Sequence, residues 1–278
     1  MRVLVTGATG NVGRLVVDEL LGTGVEIRAL TNNPGNANLP GGVEIAEGFI
    51  GKPETVRDAL VGVERLYLAP HPKTAQAVVD LAVQAGVRRI VDLSSSGADD
   101  EAQGGPSSWW FYAVERAVES APGVEWTHLR PGEFMLNALG WADSIRDEGV
   151  VRAAYGEVSY APLDLVDIAA VAAKTLLEDG HHGQKYAMTG PESLSKIEKV
   201  RIIGEVLGRE IRFVEISHAE ARAQMLAQGY GEAADWLLDG DAQMVGQPQP
   251  VLPTVPNLLG RPSRTFAEWA RAHADAFR

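Results

Sequence analysis

A short apolar run at residues 3–5 leads into three spaced glycines, then into apolar positions at helical spacing: Val12, Leu15, Val16 and Leu20. Further short apolar runs predict strands at 25–30, 43–46, 65–69, 87–93 and 124–129. Helices are predicted between them at 54–61, at 74–85 with its stop at Gly86, and at 107–120. Strand–helix units repeating at this length predict an α/β fold, a doubly wound parallel sheet with helices on both faces. Beyond residue 131 the pattern changes. A helix is expected at 164–177, a strand at 184–188 and another at 211–216. Ser195/Glu198, Ser217/Glu220 and Thr265/Glu268 each have capping-box spacing, the first opening a helix to Leu207 and the last opening a final helix over 266–277. The stretch 247–256, with four prolines, reads as a loop, and no internal repeat is evident.

The opening turn carries the most chemistry. Glycine at 7 permits a sharp turn, glycine at 10 lets an anion approach the backbone, and glycine at 13 lets helix and strand pack closely. The first helical turn has unpaired N–H groups and the positive end of a dipole, so it attracts a pyrophosphate. A glycine triplet between a strand and a helix, with a second strand following, predicts a dinucleotide-binding βαβ unit. Gly7, Thr9, Gly10, Asn11, Val12 and Gly13 are its expected contacts. Residues 1–130 are read as the dinucleotide-binding Rossmann domain, and 131–278 as a smaller α/β substrate lobe interleaved with the last sheet strands.

Composition narrows the choice of partners. Apolar residues make up 45 % of 278 residues, and the net charge is −12. That charge argues against a nucleic-acid surface and against docking on anionic membranes. With no cysteine, disulfides, thiolate nucleophiles and cysteine-based metal sites are excluded, and no metal site is expected. No uncharged run reaches the length of a membrane span, and the first strand begins without a charged leader region. A soluble, cytoplasmic protein is expected.

Val-Thr-Gly-Ala-Thr-Gly-Asn-Val-Gly at 5–13 resembles the opening of the NmrA-like group of atypical short-chain dehydrogenases. The strand and serines at 85–95, the Trp-Thr-His-Leu-Arg-Pro-Gly-Glu-Phe-Met-Leu-Asn segment at 126–137, and segments 186–195 and 260–270 are similar to later parts of that family. The resemblance spans nearly the whole chain. It implies an NAD(P)-binding Rossmann fold and, for the activity, either reduction of quinones and other small carbonyl compounds or nicotinamide sensing without turnover. Three departures stand out. Asn32 occupies the place where the family's NADP-preferring members carry Arg, which leaves NAD and NADP both open and leans away from strict NADP. Arg28 is near in sequence, its reach unsettled by strand alternation. Phe49 stands where the family has an Asp that contacts adenine; it can flank adenine but cannot accept that hydrogen bond. The Tyr-x-x-x-Lys pair is missing; Tyr112-x-x-x-Arg116 is the nearest arrangement.

Ligands of such sheets lie beyond the carboxyl ends of the strands. Cofactor contacts are therefore also expected from Asn32, Asn33 and Phe49 at the adenosine end, and from Pro70, His71, Ser94 and Ser95 at the nicotinamide end. His71, Ser95 and Tyr112 are the candidates for catalysis, none with a decisive signal. The aromatic run Trp109–Tyr112 is expected to supply substrate contacts from Trp109 and Trp110, or else packing; its exposed area points to a pocket or to a dimer surface, so a homodimer stays open. Pro131, Phe134, Met135 and Trp141 are further substrate candidates, with core packing as the competing account. His181–His182 and Asp99–Glu101 read as solvated, and Glu115 as a partner of Arg116 or Arg89. The favoured function is NAD(P)H-dependent reduction of a small flat carbonyl, quinone or enone. The alternatives are a nicotinamide-state sensor and a non-redox isomerase or cyclase on the same fold.

Overall fold

The computed structural model describes residues 1–103, 110–231 and 233–278, and of Trp110 the main chain alone. The first stretch holds β1 (Arg2–Val5), α1 (Asn11–Leu20), β2 (Glu26–Thr31), β3 (Glu44–Glu47), β4 (Arg65–Leu68), α2 (Ala75–Gln84) and β5 (Arg89–Leu93). Next come α3 (Ala98–Ala102), α4 (Trp110–Glu119), β6 (Glu125–Pro131), α5 (Ala142–Glu148), β7 (Val150–Ala153) and β8 (Ser159–Tyr160). They are followed by α6 (Leu165–Leu177), β9 (Gln184–Met188), β10 (Leu194–Ser195), α7 (Lys196–Leu207) and β11 (Arg212–Glu215). The last are α8 (His218–Ala227), α9 (Ala233–Met244), α10 (Thr254–Leu259) and α11 (Phe266–Ala272).

Seven strands pair in parallel in the order β3-β2-β1-β4-β5-β6-β9. The order reverses between β1 and β4, where an open α/β sheet has its ligand crevice. Helices α1 and α6, which pack together, lie on one face and the pair α2 and α4 on the other. Leu4, Leu66, Leu68 and Ile90 meet Val78, Val79, Val114 and Val118 in the core beneath the second pair.

The chain forms two compact units. One comprises Met1–Pro131 and Leu165–Met188; the other comprises Gly132–Asp164 and Thr189–Arg278. The second unit has its own core, in which Met135, Ile145, Val151, Val200 and Ile203 pack with Phe266, Trp269 and Phe277. In it β7 runs parallel to β11, and β8 antiparallel to β10. All three capping boxes form, each with reciprocal hydrogen bonds.

Several local expectations are corrected. Residues 54–61 make two short 3-10 turns, Pro53–Thr55 and Asp58–Leu60, instead of a helix. The Arg28 guanidinium takes the carbonyls of Ala59 and Val61 at 2.7 and 2.9 Å, bonds that a continuing helix would need. The proline-rich loop ends early because α10 starts at Thr254. Pro256 fits its first turn, where a missing N–H costs nothing. The acidic stretch after Gly97 is the short helix α3. No helix among the described residues is long and apolar enough to cross a membrane.

Candidate functional site

The opening turn is held from below. The Thr6 hydroxyl donates to the Tyr67 carbonyl at 3.0 Å and accepts from the Ala69 amide at 2.8 Å, tying the end of β1 to the end of β4. Gly7 takes φ +60°, and the Gly10 amide closes the turn onto the Gly7 carbonyl at 2.9 Å. A Cβ at Gly13 would stand 2.2 Å from the Gly7 oxygen, so α1 can approach this loop only through a glycine. At Gly10, the N-cap, no side chain caps the helix and no acid lies in its first turn. Gly7, Thr9, Gly10 and Asn11 are exposed, whereas Val12 and Gly13 are buried and offer only main chain. An uncapped, uncompensated helix N-terminus with no Cβ at its cap fits a pyrophosphate.

On the β2 side, Asn32 and Asn33 are exposed, and the Asn33 amide donates to Thr31 Oγ1 at 3.2 Å. Arg28 points elsewhere: besides the two carbonyls it pairs with Glu44 at 2.9 Å. Arg14 reaches the loop after β2, its Nη1 donating to the Asn38 carbonyl at 2.6 Å. Phe49, 41 % exposed, meets His71 edge-on with centroids 5.5 Å apart. A Cβ on Gly51 would fall 2.3 Å from Phe49 and 2.9 Å from His71 Nε2, so this glycine admits both rings. Phe49 and His71, expected at the adenosine and nicotinamide ends of a dinucleotide, thus touch each other. Thr74 Oγ1 donates its one proton to the Ile50 carbonyl at 2.7 Å and must accept from His71 Nδ1, also at 2.7 Å. A neutral His71 therefore presents an acceptor at Nε2, not an acid.

At the end of β5, Ser94 is buried and donates inward to Glu115, while the Ser95 hydroxyl accepts from the Gly97 amide at 3.1 Å and keeps its own proton. Pro131 is buried at the end of β6, its carbonyl accepting from the Ser96 amide at 3.0 Å. Glu115 is not a partner of Arg116 or Arg89. Arg130 grips it through Nε at 2.8 Å and Nη2 at 2.7 Å, and grips Asp99 with 2.8 and 2.9 Å bonds. Burial works against the Glu115 carboxylate, but the Arg130 and Ser94 hydrogen bonds prevail and hold its pKa below the ordinary value. The acidic stretch is likewise not merely solvated: besides Asp99, Glu101 is buried and caps α4, accepting from the amides of Phe111 and Tyr112 at 3.1 and 2.9 Å. Burial raises the Glu101 pKa. The Tyr112 side chain is exposed and Arg116 pairs with Glu119. Trp109 and the side chain of Trp110 lie outside the described residues.

In the second unit, Met135 is 1 % exposed within the core, so its expected substrate contact is withdrawn. Phe134, bridged to Leu163, and Trp141 stay partly exposed. In the first unit His181 is buried, its Nδ1 2.8 Å from the Tyr186 hydroxyl, which corrects its reading as solvated, whereas His182 is exposed in the turn and its Nδ1 accepts from the Trp126 amide at 3.1 Å. Thr6, Arg130 and the partners of Glu115 were missed by sequence reasoning. A signal existed for the last: Glu115 falls on the apolar face of α4, beside Val114 and Val118.

A family model described as NAD(P)H-binding matches residues 7–179. Over 99 % of both chains the protein is 38 % identical to (4-alkanoyl-5-oxo-2,5-dihydrofuran-3-yl)methyl phosphate reductase of Streptomyces griseus. It is 34 % identical, again over 99 % of both, to an NAD(P)H azoreductase of Xenophilus azovorans. A solved NADPH-dependent quinone oxidoreductase of Escherichia coli, complexed with NADPH, superposes with a TM-score of 0.82 at 26 % identity, covering 98 % of this chain and 99 % of that one. With the glycine turn, the parallel sheet and these matches in hand, the chain belongs to the NAD(P)H-binding, NmrA-like family of atypical short-chain dehydrogenases/reductases.

Proposed function

We propose that this protein reduces a small, flat, conjugated acceptor, such as a quinone, an enone or an azo compound, at the expense of NAD(P)H. The observation that carries the reading is the uncapped N-terminus of α1 behind Gly7, Gly10 and Gly13. The likeness to reductases of a butenolide phosphate and of azo compounds supports the acceptor class.

In this reading the amides of Asn11, Val12 and Gly13 hold the pyrophosphate, with Gly7, Thr9 and Gly10 lining its approach. Asn32, Asn33, Phe49 and His71 serve the adenosine end. Pro70 and Ser95 serve the nicotinamide end, with Ser94 as the buried support of Ser95. When bound, the dihydronicotinamide supplies a hydride. Acceptors of this class need little proton donation from the protein, which suits a site without a Tyr-x-x-x-Lys pair. The Ser95 hydroxyl, its lone pair engaged by the Gly97 amide, is the rim donor proposed to orient the acceptor. Phe134 and Trp141 are the substrate-facing aromatic residues proposed for the second unit.

Titration calorimetry with NAD, NADH, NADP and NADPH, followed by loss of nicotinamide absorbance on adding a quinone, an enone or an azo dye, tests the proposal. Binding of a reduced form with turnover is expected. Binding without turnover of any acceptor favours a sensor, and a folded protein that binds none of the four nucleotides favours the non-redox reading.

A further inference from the structure

One row of residues crosses the face of the sheet beneath α4. In register, Leu68, Asp92, His128 and Lys185 stand side by side on β4, β5, β6 and β9. Asp92 and His128 are fully buried. Within an apolar layer, this is a place where charge is costly unless every group is matched.

Three electron-rich groups face the His128 ring. Asp92 Oδ1 lies 2.6 Å from Nδ1. Glu119 Oε1 lies 3.5 Å from Nε2, and among the described residues no hydrogen-bond partner reaches that nitrogen. The Trp126 ring stacks on the imidazole at 4.4 Å and 18°. Beside an ionised Asp92, a neutral ring would leave one buried lone pair facing a carboxylate. A doubly protonated ring gives Nδ1–H to Asp92, turns Nε2–H toward Glu119, and sets a cation on an aromatic face.

Burial raises the Asp92 pKa, so Asp92 and His128 compete for one proton, and with Asp92 ionised the charges close only when His128 carries it. Four carboxylates converge here: Asp92 from β5, Glu115 and Glu119 from α4, and Asp99 from α3. Three permanent cations answer them. Lys185 on β9 lies 2.8 Å from Glu119 and 3.7 Å from Glu115, Arg116 on α4 pairs with Glu119, and Arg130 on β6 pairs with Glu115 and Asp99. Tyr67 on β4, its hydroxyl buried, and His182, edge-on to Trp126 at 5.9 Å, complete the titratable neighbours. The imidazolium is the fourth cation. Burial pulls its pKa down, yet Asp92, Glu115 and Glu119 together hold it above the ordinary 6.5.

We propose that His128 keeps a second proton in the folded protein, and that this buried imidazolium pins α4 to the sheet and makes its docking sensitive to alkali. The pin operates with or without a dinucleotide. Its sign follows from linkage. Once α4 has opened, the ring returns to an ordinary histidine, which gives up its proton near pH 6.5. Docking is therefore fully stabilised below that value and weakens as pH rises toward the raised folded value.

Nitrogen NMR of the histidine rings in the unmodified protein is the direct test. Both His128 nitrogens should carry protons at pH 7; an unprotonated Nε2 or Nδ1 at that pH overturns the proposal. Hydrogen exchange supplies the second measurement, with rates corrected for intrinsic base catalysis. Protection of α4 amides should fall about tenfold per pH unit above about pH 6.5, as expected for one linked proton. In His128→Gln, which cannot take the proton, α4 should be less protected at pH 6 and the slope should vanish. A slope equal to that of the unmodified protein would mean that another group titrates and would overturn the assignment to His128.

Discussion

Gly10 and Gly13 separate binding from folding at single positions. Gly10→Val should lower NADPH affinity by about 100-fold or more while leaving much of the fold intact, because its Cβ would sit 3.2 Å from the Gly7 carbonyl, a contact that small shifts can absorb. Calorimetry with a circular-dichroism melt checks both halves. Gly13→Ala should behave in the opposite way, as its 2.2 Å clash is with main chain; a loss of about 3 kcal/mol in denaturant melts is expected. The two serines divide similarly. Ser95→Ala should lower kcat about tenfold with little change in melting temperature. Ser94→Ala should cost stability, about 1–3 kcal/mol, by leaving Glu115 short of a buried partner. Steady-state kinetics beside thermal melts distinguishes them. At this scale the glycines were legible because a strand, a turn and a helix demand them in order. The contact between Phe49 and His71 was not, because nothing local in a chain says that side chains 22 positions apart share the space over Gly51.

The element most dependent on buried polar contacts is α4. Glu101 caps its first turn, and Glu115 links it to Ser94 and Arg130. Glu101→Ala should cost about 1 kcal/mol, as uncapping does. Glu115→Ala should cost more, about 3–5 kcal/mol, because it takes the buried acceptor from Arg130 Nε and from Ser94 and leaves Arg130 only the exposed Asp99. Urea melts of the two variants should rank in that order. Acid should weaken the same docking. The pKa values of Glu115 and Glu119 are held below their ordinary 4.5, so their contribution is present above that value and is lost as pH falls through the lower folded values. Hydrogen exchange of α4 amides from pH 6 down to pH 3 should show protection falling at the acid end. Periodicity disclosed that a helix lies here. It could not disclose the partners of Glu115, because they come from other strands and their charges look like surface charges when read along the chain.

For the whole molecule, the parallel sheet and the position of its ligand edge could be read from alternating strands and helices alone. The short turns at 53–60 and the start of α10 could not, since each depends on a distant group or on a proline's tolerance at one position. A saturating reduced dinucleotide should raise the melting temperature, by about 5 °C at a concentration 100-fold above its Kd. Gly10→Val should abolish that rise, and scanning fluorimetry reads both.

The last strand of the parallel sheet comes late. Synthesis delivers β6 first, then all of Gly132–Asp164, which belongs to the other unit, and only then α6 and β9. Until residue 188 has left the ribosome, the β6 margin has main-chain groups with no mate, and bare strands of that kind invite other chains. A nascent protein stalled before that point, or a gene truncated there, should therefore collect in insoluble material, whereas one stopped just after β9 should keep its first unit in solution.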